Sequence, residues 1–272
     1  MLYIYDIKEI RGLREEKHMG IFDILFGKKG VTNNSGGYSN NSINLSKEDA
    51  IQKINLSKEE VHKICLTKKP LNNLTCRVGI VLDYSYSMST LYKNGLVQSV
   101  VEKILPLAME FDDNGTMEVW IFNDGYTRMP DINMDNFYGY VDREIVKNKK
   151  IKMGGTNYAP VMGDVIRKYM VEDPADIPDY IIFITDGDNF DEDETDRVIK
   201  AASRNPIFWQ YVGVGDASFN YLEHLDEMTG RYVDNANFFS VENVNKIVYE
   251  DLLAEYPQWL QYKEVREMLK RH

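Results

Sequence analysis

Two apolar runs in this sequence end on a carboxylate, Ile80-Val81-Leu82-Asp83 and Phe183-Ile184-Thr185-Asp186. The first continues as Asp83-Tyr84-Ser85-Tyr86-Ser87, which offers an acid and two hydroxyls at alternate positions of one turn. A third hydroxyl, Thr156, follows Gly154 and Gly155, where the missing Cβ atoms let a loop backbone come close to whatever the others bind. Two carboxylates and three hydroxyls, with no His or Cys, make a hard-oxygen donor set. Such a set suits Mg²⁺ or Mn²⁺ in near-octahedral geometry, with water or a partner's oxygen completing the shell. A strand-terminal acid alone is often a helix cap or a turn residue, so the metal reading rests on the five positions together.

These residues can meet only if the two strands are neighbours. From Arg77 onward, short buried apolar runs alternate with helical periodicity. Strands are expected over 77–82, 117–122, 180–185 and 207–214, with shorter ones over 126–129 and 237–240. Helices are expected over 91–111, with a kink at Pro106, and over 159–170, 192–203, 218–228, 241–255 and 258–270. Alternation of this kind implies an α/β fold, a Rossmann-like, mainly parallel sheet with helices on both faces. Ligands in such sheets bind beyond the carboxyl ends of the strands, where strand order reverses.

The remaining features narrow the function. The chain has 272 residues, 43% of them hydrophobic and 28% charged, enough for a proper core. Net charge is −11, and it is uneven: residues 1 to 74 carry 12 Lys/Arg against 9 Asp/Glu, and the rest 20 against 34. That balance argues against nucleic acid and for cations or basic surfaces. Two cysteines, Cys65 and Cys76, are too far apart for a C-x-x-C pair. No run reaches the roughly 18 apolar residues of a membrane span. Charges through the first 18 residues exclude a secretory signal, so the expected location is the cytoplasm.

Residues 1–42 read as a tail with an amphipathic stretch from Gly20 to Phe26 and a Gly/Asn/Ser tether after it. Met19 is a candidate start, and Ile24 defeats a myristoylation signal. Residues 43–74 carry an echo eleven residues apart, Ile43-Asn44-Leu45-Ser46-Lys47-Glu48 and Ile54-Asn55-Leu56-Ser57-Lys58-Glu59. Ser46 and Ser57 each precede an acid by three residues, which predicts two short capped helices. The main domain spans 75–256, and 257–272 is expected to form an amphipathic helix bearing Trp259, Leu260, Val265, Met268 and Leu269.

The pattern Asp-x-Ser-x-Ser, a separate Thr and a later Asp-Gly resembles the metal-ion-dependent adhesion site of von Willebrand factor A-type domains. Six ordered segments resemble the tellurium-resistance F-type branch: Leu91–Gly95, Phe111–Gly115, Gly154–Pro160, Phe183–Asn189, Pro206–Gln210 and Val233–Phe239. The resemblance implies one divalent ion at the upper edge of the sheet, with Ser85, Ser87 and Thr156 as direct ligands and Asp83 and Asp186 holding the ion directly or through water. Tyr86 departs from the Gly that many members carry between the two serines. Fragments near Ile54 and Leu66 are faintly similar to the tellurium-resistance D-type domain, over too short a span to carry a calcium site.

The function expected is a metal-dependent protein-interaction module, whose ion takes an acidic side chain of a protein partner. The resemblance adds a cytoplasmic bacterial stress or tellurite-resistance system. Tyr84, Tyr86 and Tyr158 are expected to flank the ion as contact residues. The competing readings are a Mg²⁺-dependent phosphoesterase and cation sequestration by the acidic run 186–196. The first lacks a general base, since His224 is the one His between Cys65 and Arg271. The second fails the calcium-loop template at Phe190, and acids opening the 192 helix suit its dipole. Gly213-Val214-Gly215 lacks the third glycine of a dinucleotide loop and reads as a turn.

Overall fold

The computed structural model describes residues 46–112 and 114–270. The expectations for the tail, its amphipathic stretch, the tether, Met19 and the start at residue 43 lie outside them. Six strands form one sheet: β1 (Arg77–Asp83), β2 (Met117–Phe122), β3 (Tyr126–Ile132), β4 (Asp179–Thr185), β5 (Ile207–Val214) and β6 (Ala236–Val241). Their order is β3-β2-β1-β4-β5-β6, and every pair is parallel except β2 with β3. The α/β expectation is borne out, and the edge strand expected over 126–129 is observed as β3, which runs on to Ile132 and is antiparallel. After β1 the chain moves to one side of the sheet and later returns to the other, so strand order reverses between β1 and β4.

Both faces of the sheet are covered, which is why its central strands are apolar without alternation. Val78, Ile80 and Leu82 of β1 and Tyr180, Ile182 and Ile184 of β4 pack into one core, while Val81, Ile181 and Phe183 pack into the other. The first core takes α1 (Lys47–Thr67), α2 (Ser89–Lys93) and α3 (Leu96–Phe111); the second takes α4 (Ala159–Arg167), α5 (Glu192–Ala202) and α6 (Asn220–Glu227). The helix expected over 91–111 is divided at Gly95, whose φ of 73° suits glycine.

Three expectations fail near the ends. The echo at residues 43–59 does not make two helices. Ser46 does cap α1, accepting from Asp49 N at 3.1 Å, but Ser57 is buried inside the same 21-residue helix. Eleven residues are close to three turns at 3.6 per turn, so Ala50 and Val61, and likewise Ile54 and Cys65, fall on one buried stripe. Burial of that stripe outweighs a second cap. The helix expected over 241–255 is reduced to a short α7 (Tyr249–Leu252), and the terminal segment is not one amphipathic helix but α8 (Tyr256–Trp259) and α9 (Lys263–Met268), with Trp259, Val265 and Met268 in the first core. Among the described residues no helix is long and apolar enough to cross a membrane.

Asp164 fastens α4 to the antiparallel edge. Its buried carboxylate accepts Trp120 Nε1 at 2.9 Å, Arg128 Nε at 2.6 Å and the Arg167 guanidinium. Burial works to raise its pKa, but these bonds outweigh that and hold it at about 2. A depressed carboxylate contributes stability above its ordinary range and loses it as pH falls toward the folded value. Asp164→Asn should therefore cost about 1 to 2 kcal/mol near neutral pH, allowing for the partial exposure of Arg128. Urea melts should show the gap to wild type closing between about pH 4 and pH 2.

Candidate metal centre

The site forms where β1 and β4 end side by side. Register pairs Leu82 with Ile184, which sets Asp83 beside Thr185. Asp83 is fully buried, and its carboxylate accepts Ser85 N at 2.7 Å and Thr185 Oγ1 at 2.7 Å. Its backbone carbonyl accepts Tyr92 Oη from α2 at 2.9 Å. The turn that follows curls back over the strand end, with Ser85 Oγ 2.9 Å from Ser87 Oγ, and Ser87 Oγ donating to Asp186 Oδ1 at 2.7 Å. Four of the five expected ligands are thus joined in one hydrogen-bonded cluster.

Thr156 arrives on its own loop. Gly154 forms a parallel bridge with Ser85, donating N–H to Tyr84 O at 3.4 Å and accepting from Tyr86 N at 3.2 Å. Thr156, two residues on, is buried, and its carbonyl accepts Phe190 N at 2.9 Å. The loop between the acid-bearing strands is therefore stitched to both of the turns that carry the other candidates.

Electrostatics sets this cluster apart from an ordinary buried network. Burial pushes Asp83 up to about 6, against hydrogen bonds from Ser85 and Thr185 that lower it, and the neighbouring Asp186 carboxylate raises it further. Burial also raises Asp186, with Ser87 acting against it. The groups acting on both acids are neutral donors, and Asp83 also feels the like charge of Asp186. Hydroxyl and carboxylate oxygens gathered around two disfavoured anions fit a hard divalent cation. If one is bound, Ser85, Ser87 and Thr156 would be the hydroxyls to hold it, with Asp83 and Asp186 beside them, and it would supply the missing positive charge.

The expected contact residues divide. Tyr86 is 71% exposed, but Tyr84 and Tyr158 are buried, so those two are corrected to structural positions. Tyr158 sits at the start of α4 with its hydroxyl bonded to Gly187 O at 2.5 Å and its ring against Phe122 and Phe183. In the described part of the segment 257–272, Trp259, Val265 and Met268 are core, and Leu260, Tyr262 and Leu269 are partly buried against it.

Residues not anticipated hold the loops. Asp124 accepts Gly155 N at 3.0 Å, Asn123 O accepts Asn157 N at 2.8 Å, and the Asn123 side chain donates to Lys152 O at 2.8 Å. Asp191 accepts both Tyr158 N and Ala159 N at 2.9 Å, fixing the start of α4 just after Thr156. The signal available for Asp124 was its place in Asn123-Asp124-Gly125, immediately after a strand. Asp191 gave none apart from the acidic run. Within that run Asp188 accepts Tyr221 N at 3.3 Å and Asp196 accepts Tyr221 Oη at 3.1 Å, so both acids meet the same tyrosine of α6. Among the described residues no three or more His, Cys, Asp and Glu gather as a metal group. The cluster above depends on hydroxyls.

Comparison with known proteins agrees with this architecture. Residues 75–269 match the family described as the vWA domain found in the TerF C terminus. The uncharacterised protein YcbR of Bacillus subtilis is 46% identical over 219 residues, 79% of this chain and 88% of that one. Among solved structures, the SpRpn10 VWA domain aligns at 11% identity and a TM-score of 0.48, over 70% of this chain and 99% of that one. Proximal thread matrix protein 1 from the mussel byssus, in a form with a zinc-occupied MIDAS motif, aligns at 17% identity and a TM-score of 0.46. That alignment covers 66% of this chain and spans 46% of the mussel protein. With the family matched over most of its length and a relative at that identity, the chain belongs to the TerF-like family of von Willebrand factor A domains.

Proposed function

We propose that this protein is a metal-dependent protein-interaction module. It holds one Mg²⁺ or Mn²⁺ through Ser85, Ser87 and Thr156, with Asp83 and Asp186 bound directly or through water. An acidic side chain of a protein partner completes the shell. The observation that carries this reading is the Ser85–Ser87–Asp186 chain of oxygens at 2.7 to 2.9 Å, next to an Asp83 pushed up to about 6. von Willebrand factor A domains are typically interaction modules without catalysis, and that supports the choice over an enzyme. The family supports a place in a bacterial stress or tellurite-resistance system, acting in the cytoplasm. A cation held largely by neutral hydroxyls keeps much of its charge, and so forms a local positive spot in a negative domain.

Calorimetric titration with MgCl₂ and MnCl₂ tests the reading. Wild type should bind one ion, and Thr156→Ala and Asp83→Ala should each weaken it at least about tenfold, or about 1.4 kcal/mol. Equal affinities in all three proteins would remove the assignment, and hydrolysis of p-nitrophenyl phosphate lost in Asp83→Ala would favour the phosphoesterase. A second titration probes how the Thr156 loop is held. A Cβ added at Gly155 would lie 2.5 Å from Asp124 Oδ1, so Gly155→Ala must displace that carboxylate and break its bond to the loop. Affinity should fall about threefold to tenfold while the thermal midpoint moves by only a few degrees, because Asp124 is a side-chain end that can swing into solvent.

A further inference from the structure

Phe190 and Tyr86 are the most exposed aromatic side chains among the described residues, at 82% and 71%. Both belong to the metal centre by their backbones. Tyr86 N donates to Gly154 O at 3.2 Å and Phe190 N donates to Thr156 O at 2.9 Å, so the two residues hang on carbonyls only two positions apart. The Phe190 ring lies along that loop, since a Cβ at Gly155 would stand 3.7 Å from its Cδ2. One ring thus rises from the turn between Ser85 and Ser87, and the other from the loop beyond Asp186. A ring left in water gives up the stabilisation of burial, which a partner surface can supply.

Charge at the same edge selects the partner. The run Lys147-Asn148-Lys149-Lys150-Ile151-Lys152 leads directly into Gly154, and Lys149, Lys150 and Lys152 are exposed. The Lys152 carbonyl accepts the Asn123 side chain from the end of β2, which sets the close of this run at the carboxyl edge of the sheet. Acids of the run 186–196 flank Phe190 at this edge, and against them the exposed lysines supply local positive charge that favours an acidic residue of a partner. We propose that Phe190 and Tyr86 grip, from two sides of the Thr156 loop, a protein segment in which an acidic residue is followed by an apolar one. The acid turns to the metal centre and the lysines, and the apolar side chain packs on the rings. This rests on the metal-centre reading above.

The test uses the full chain and four end-capped, fluorescently labelled Gly/Ser peptides whose central pair is Asp-Leu, Asp-Gly, Asn-Leu or Asn-Gly. Polarisation titrations are run in Mg²⁺ and in EDTA. Asp-Leu should bind about tenfold more tightly than Asp-Gly. Phe190→Ala should abolish that preference, and Tyr86→Ser should reduce it. Both substitutions are at exposed side chains, and calorimetry should show their Mg²⁺ affinity unchanged. Mg²⁺-dependent binding of both Asp peptides with no preference for Leu overturns the role of the rings and leaves the metal centre standing. A Leu preference that needs Phe190 but persists in EDTA upholds the rings and counts against the metal centre. Binding of none of the four peptides overturns the proposal.

Discussion

A carboxylate with no solvent exposure ends the central strand, and the site is arranged around keeping it there. Burying a charged group without partners costs several kcal/mol, and Ser85 N and Thr185 Oγ1 offset only part of that cost for Asp83. The first bond requires the chain to turn back immediately after β1. The second requires β4 to lie next to β1 in the observed register. One side chain therefore couples the path of the serine turn to the point where strand order reverses. The Gly154 bridge then adds the third loop by backbone pairing, and the Asp124 carboxylate lies so close to Gly154 and Gly155 that a Cβ at either would collide with it, which accounts for the two glycines before Thr156.

Much of this was legible because it is written in local pattern. Ile80 to Asp83 and Phe183 to Asp186 are apolar runs that end abruptly in an acid, and a parallel sheet turns that pattern into a shared edge. What was not legible depends on pairing between distant segments. Asp191 serves the amides of Tyr158 and Ala159, more than thirty residues earlier, and nothing in the composition of an acidic run says which acid turns inward. Tyr158 failed as a surface residue for a related reason. It stands next to Ala159 and Pro160 at a helix start, where the chain enters the core between Phe122 and Phe183. The eleven-residue echo misled because capping signals are local, whereas the stripe that keeps α1 whole is satisfied chiefly against α3, a distant segment of the chain.

The serine turn divides its labour by position. Ser85 and Ser87 join the oxygen cluster, Tyr84 is buried with its ring edge-on to Tyr92, and Tyr86 faces solvent. A side chain at position 86 can thus change size and chemistry without displacing a donor oxygen. Phe190 has the same freedom across the loop, because its attachment to Thr156 runs through its backbone amide and leaves the ring unconstrained. In both residues the backbone secures the centre and the side chain is free to meet a partner. On the proposed function, strength of ion binding and choice of partner would be set by different atoms of the same short segments. Such a separation would let one α/β scaffold keep a fixed inorganic site while its apolar rim is matched to a particular protein surface.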